Sequence, residues 1–225
     1  MSVGGHLYAV GGSRSIGSER SIEMFDGTQW QEVAETNGFR SDFCSLAWQD
    51  EAILVIGGYD AGGGQARTEM YNVTTGKWSQ LQAMPIGRGL HSCGLYKAGR
   101  VIITQIGLEI VINLWTYISC LGSQTSSGKY FPFKSLSVLQ GGMVAAGGWT
   151  ETEDGWNEIS HTAVWYDPAS ASWTQLENLK KGRTQFALEE VNGTMTAIGG
   201  FDVSGVYILC DSLLHNTPGH IHRVH

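Results

Sequence analysis

Proline is scarce in this chain, with four among 225 residues, while glycine reaches 31. That balance fits tight strand ends rather than disorder. Charge is also thin, at 16% of residues with a net −7. A chain without a basic footprint is a poor general nucleic-acid binder, so no nucleic-acid partner is expected. None of Cys44, Cys93, Cys120 and Cys210 sits in a C-x-x-C pair, which excludes zinc-ribbon and thioredoxin-like readings. Cys44 and Cys93 occupy nearly equivalent strand positions and are expected as buried structural thiols. The opening MSVGGHLYAVGG has no basic region ahead of an apolar core, so no signal peptide is read and the cytoplasm is the expected location. One run, residues 101–122, is apolar enough to raise a membrane span. Glu109 near its middle would cost about 2.5–3.5 kcal/mol there. Its Ile and Val content suits strands instead, so no membrane is expected.

Cofactor chemistry is equally sparse. Gly122 to Lys129 has five residues between its glycines and Tyr130 after the lysine. A phosphate-binding loop needs four, then Ser or Thr. His215, His220, His222 and His225 lack a companion carboxylate, cysteine or ligand spacing. No cofactor and no metal is expected.

What the chain does have is repetition. Apolar runs end in glycine doublets at Gly11-Gly12, Gly57-Gly58, Gly147-Gly148 and Gly199-Gly200, with second glycines 46, 90 and 52 residues apart. Ninety reads as two periods, with one doublet lost near Thr104-Gln105. Aromatic-to-Trp segments follow the doublets: Phe25 and Trp30, Tyr71 and Trp78, Tyr166 and Trp173. Ahead of the later strands stand Arg40-x-x-Phe43, Arg88-x-x-His91 and Arg183-x-x-Phe186. A period near 45 residues, with short strands and turn signals, predicts four-stranded antiparallel blades. The expected fold is all-β, with a partial unit over 1–35, units over 39–84, 88–128 (degenerate) and 129–179, and a partial unit over 183–209. Residues 210–225 are expected as a poorly ordered tail. The first strand of the first unit is absent from the sequence pattern, and Arg183–Val191 is the expected donor of it.

GGYD at Gly57–Asp60, GGFD at Gly199–Asp202, MYNVTTGKW at Met70–Trp78 and WYDPASASW at Trp165–Trp173 together resemble the kelch repeat family. The resemblance covers most of residues 5–202 and implies a kelch-type β-propeller whose usual role is binding another protein. Through the parent family it implies ubiquitin-ligase or actin-associated proteins as partners and a substrate-recognition role. The competing readings are a kelch-like enzyme, an oxidase or a sugar-modifying one, and a truncated propeller fragment without function. No oxidase-type copper spacing, sialidase box or nucleophile elbow is present, so no catalytic residue is named.

Antiparallel strand order puts the second-to-third loops and the fourth-to-first loops on one face. Long loops at residues 60–68 and 149–161 should therefore share a face with the arginines. The expectation is a protein or peptide ligand, acidic in character, held there by Arg40, Arg88, Arg183, Arg67 and Trp156. The glycine doublets, Tyr71, Trp78, Tyr166 and Trp173 are expected to serve structure.

Overall fold

The structure is a computed structural model that describes residues 1–14, 17–96, 100–105, 108–113, 135–138, 141–151, 157–191, 194–208 and 210–213. It is all-β, and its main sheets are antiparallel blades in sequence order. Blade one runs Ser2–Val3, His6–Arg14, Gly17–Phe25 and Trp30–Glu35. Blade two runs Cys44–Trp48, Ala52–Ile56, Thr68–Asn72 and Lys77–Leu81. Blade three joins Ser92–Tyr96 to Gly142–Ala146, Ala163–Asp167 and Ser172–Gln175. Blade four holds Ala187–Val191, Thr194–Ile198 and Cys210–Leu213.

Four sequence expectations change here. Ser2–Val3 pairs with His6–Leu7 and supplies blade one's first strand, so Ala187–Val191 stays in its own sheet. Cys210–Leu213 pairs with Met195–Ile198, so the supposed tail begins with a blade strand. No doublet has been lost near Thr104-Gln105. Tyr96 pairs directly with Gly142, and the stretch between is an insertion into blade three, not a degenerate blade of its own. Arg100–Gln105, Leu108–Asn113 and Ser135–Val138 form a separate three-stranded sheet within it. The units read at 88–128 and 129–179 are thus one blade interrupted. Finally, Cys44 and Cys93 are joined in a disulfide, with Cα atoms 6.0 Å apart, within the ordinary span of such a bridge. They are not separate thiols. The bond links the first strands of blades two and three.

The central strand Ala52–Ile56 is buried at every position. A strand sandwiched between two neighbouring blades has no solvent face, so its sequence, AILVI, is apolar throughout. Alternation then sorts the side chains. Ile53 and Val55 face blade one with Tyr71. Leu54 and Ile56 face blade three. Blade three repeats the arrangement, with Met143, Ala145, Val164 and Tyr166 toward blade two and Val144, Ala146 and Ala163 toward blade four. Among the described residues, three hydrophobic cores therefore lie between four blades. Each is the interface of one neighbouring pair.

Candidate ligand-binding face

The glycine doublets fix where the loops go. Gly57 and Gly58 have φ of 64° and 105°, which residues with a Cβ rarely adopt. A Cβ at Gly57 would also lie 2.6 Å from the Arg88 carbonyl oxygen. The space is full because the next blade's arginine loop crosses here: Gly58 N donates to Arg88 O at 2.8 Å, and Gly148 N to Arg183 O at 2.8 Å.

The arginine side chains turn the other way, into their own blades. Arg40 donates to Gly57 O at 3.2 Å and pairs with the Glu69 carboxylate. Arg88 donates to Gly147 O at 3.0 Å, to Thr162 O at 3.2 Å and to Thr162 Oγ1 at 3.0 Å. Arg183 donates to Gly199 O at 3.0 Å. All three are buried. This corrects the expectation that they anchor a ligand at the surface. Their guanidinium groups satisfy carbonyls that the tight doublet turns leave without ladder partners. Burial lowers Arg88 to about 10, and no acid pairs with it among the described residues. His91 stands where blades two and four have Phe43 and Phe186. It is buried, with both ring nitrogens lacking a partner among the described residues. Burial, helped by the Arg88 charge, lowers its imidazole to about 3.

The same loops leave a cleft on their outer side. Gly17 and Ser18 from blade one's hairpin, Phe39 and Ser41 from the loop into blade two, and Tyr59, Asp60 and Ala61 after the doublet line about 460 Å³. Residue parity explains the split. Arg40 points inward, so its neighbour Phe39 points out and is 64% exposed. Arg20 braces it: the guanidinium carbon lies 5.1 Å from the Phe39 ring centre, while Nε and Nη2 donate to Thr36 O at 3.1 and 3.0 Å. The Tyr59 ring packs over Gly89, where an added Cβ would meet it at 2.3 Å. Its hydroxyl is buried without a partner among the described residues. Burial raises the phenol's pKa, and the Asp42 and Glu151 charges add to the effect. Arg67 lies beside the cleft, with Nη2 3.7 Å from Asp60 and Nη1 donating to Asn37 O at 3.4 Å. Of the five expected anchors, Arg67 alone keeps a partly exposed position near this cleft, and Trp156 lies outside the described residues. Phe39, Ser41 and Ser18 escaped sequence reasoning. The usable signal was Phe39's place next to an inward-facing arginine.

Among the described residues no three His, Cys, Asp or Glu side chains gather as a metal site, and no helix is long and apolar enough to cross a membrane. Repeated antiparallel blades packed face to face, with loops gathered on one side, define a β-propeller scaffold. Residues 1–37 and 43–85, the first two blades, match the family described as Kelch motif. The chain carries kelch repeats there, and such repeats serve as propeller scaffolds for protein interaction in general. Kelch-like protein 31 of Danio rerio is 28% identical over 116 residues, covering 48% of this chain and 17% of that protein. The match thus spans about a sixth of that relative's length. A solved structure titled "Structure of YjhT" aligns over 97% of this chain and 81% of that one, at 12% identity and a TM-score of 0.46.

Proposed function

We propose that the long-loop face captures a peptide or protein segment, and that the cleft between Phe39 and Tyr59 receives one of its side chains. The observation behind this is a cleft of about 460 Å³ lined by the exposed Phe39 ring and by Tyr59, whose buried hydroxyl has no partner among the described residues. Aromatic anchors and unmet polar groups in a concave site favour a ligand that fills both needs. Arg67 beside it would pair with a carboxylate on that ligand, which keeps the expectation of an acidic segment. Within a larger assembly the scaffold would act as a recognition piece, of ubiquitin-ligase or actin-associated type. Residues 1–213 would fold as one propeller unit.

A displayed random-peptide library panned against the chain tests the reading. Selected peptides should be rich in Asp or Glu, bind in the micromolar range or tighter, and lose at least tenfold affinity, about 1.4 kcal/mol, for Phe39→Ala and for Arg67→Glu. Both positions are partly exposed, so melting should stay unchanged. Peptides that bind both variants as well as the parent would refute it.

A further inference from the structure

The arginines at the loop-to-blade crossings also bond through their main chains. Arg88 N donates to Gln65 O at 3.1 Å, and Arg88 O accepts from Gly58 N at 2.8 Å. Arg183 N donates to Ser160 O at 3.3 Å, and Arg183 O accepts from Gly148 N at 2.8 Å. In each case both partners belong to the preceding blade. One is its glycine doublet, the other the returning arm of its second-to-third hairpin. The seams between blades two and three and between blades three and four are thereby closed on the loop face.

Arg40 holds the same place between blades one and two. Its next residue, Ser41, bridges to Tyr59, just as Gly89 pairs with Trp149 and Thr184 bridges to Phe201. Toward blade one, neither Arg40 N nor Arg40 O has a partner among the described residues. The main chain at Arg40 is an unpaired strand edge inside the molecule, between two blades that are both present. The cleft of about 460 Å³ is lined by both neighbours of Arg40, Phe39 and Ser41, and by Gly17 and Ser18 of blade one's hairpin.

Phe39 explains why this seam stays open. Its counterparts are Gly87 and Gly182, and neither has room for a side chain. A Cβ on Gly87 would lie 2.2 Å from Gly64 O, and one on Gly182 would lie 2.4 Å from Ile159 O. At the closed seams the hairpin arm lies directly over a glycine. A phenyl ring in that place holds the arm off.

We infer that this seam takes an extended peptide segment as an added strand, whose main chain pairs with the N–H and C=O of Arg40. The occupant's chemistry is read from the closed seams, where a strand arm of this chain supplies the carbonyl and a glycine doublet the N–H. In an antiparallel pair one residue exchanges both bonds with the residue opposite, so a single ligand residue satisfies both groups. Strand addition draws affinity from such main-chain bonds and specificity from the side chains beside them. Those side chains here are Phe39 and Arg67, so the inference rests on the peptide-capture reading above. It adds the form of the ligand: extended, and with no proline opposite Arg40, because proline has no N–H to give.

Amide hydrogen exchange, read by NMR on the isotope-labelled chain, tests this. In the free protein the Arg88 and Arg183 amides should be protected, and the Arg40 amide should exchange at least about tenfold faster. Phe39→Gly should let the hairpin arm close and slow the Arg40 amide toward the other two. The tightest peptide from the panning above should slow the Arg40 amide of the parent by about tenfold or more. N-methylation of one residue of that peptide, which removes its N–H and keeps its side chain, should weaken binding by about tenfold. An Arg40 amide as protected in the free parent as that of Arg88 overturns the inference. So does a peptide that depends on Phe39 and Arg67 yet leaves Arg40 exchange unchanged, a result that keeps the side-chain reading intact. A panning that selects no peptide, or only peptides indifferent to Phe39→Ala, overturns both.

Discussion

Arg88 shows how a residue type misleads when its partners are unseen. An arginine at a loop end looks like a surface anchor, yet its guanidinium holds two carbonyls and a hydroxyl inside blade three. Arg88→Met should therefore leave buried acceptors unmet and cost about 2–5 kcal/mol, seen as a lower urea midpoint. Arg67→Met, at the partly exposed position, should stay within about 0.5 kcal/mol. His91 makes a separate pH prediction. Its folded pKa is depressed to about 3 from an ordinary 6.5. Above pH 6.5 both folded and unfolded chains hold it neutral. Between there and about 3, only the unfolded chain takes up the proton, so stability falls as pH falls, by at most about 1.4 kcal/mol per unit. His91→Phe, copying Phe43 and Phe186, should remove that slope, checked by urea unfolding at about pH 7 and about pH 5.

At the scale of elements, much of the repeat was legible because its markers are local. Doublets, aromatic-to-Trp segments and the arginine signal all sit within a few residues of the turns they shape. Strand pairing is not local. Arg88 lies 59 residues from the doublet carbonyl it bonds, where Arg40 lies 17 from its own. A count of chain distance read that gap as another period, whereas sheet register passes over it. Replacing residues 97–141 with Gln-Asp-Glu, the turn that joins Trp48 to Ala52 in blade two, should leave the three inter-blade cores standing. Near-ultraviolet circular dichroism and the melting midpoint check it, and collapse of cooperative melting would mean the inserted sheet supports the blades. The Cys44–Cys93 bond also acts at this scale, tying two blades together. Such bonds persist in oxidising compartments and are rare in the cytosol. Reduction should cost about 2–4 kcal/mol, read as a drop in melting temperature with dithiothreitol. The candidate cleft was less legible than the blades. Tyr59 and Asp60 stood out as part of a motif, but Phe39's exposure depends on the path of an irregular loop, which no periodicity encodes.

For the molecule as a whole, stability is a sum over blades and the interfaces between neighbours. Among the described residues, blades two and three are packed on both faces, while blades one and four each have one face open to solvent. Native-state hydrogen exchange should therefore run slowest in Ala52–Ile56 and Gly142–Ala146 and faster in His6–Arg14 and Thr194–Ile198. Equal protection in all four blades at low protein concentration would contradict the open arc.

The pairing of Tyr96 with Gly142 also sets a timetable. On a ribosome the chain emerges from its N-terminus at roughly 5–20 residues per second. Ser92–Tyr96 is translated seconds before its sheet partner, Gly142–Ala146. During that interval blade two is complete and its Leu54–Ile56 face is bare. The nascent first strand of blade three, carrying Cys93, can settle on that face. Assembly during translation is thereby ordered, with strand meeting blade before strand meets strand.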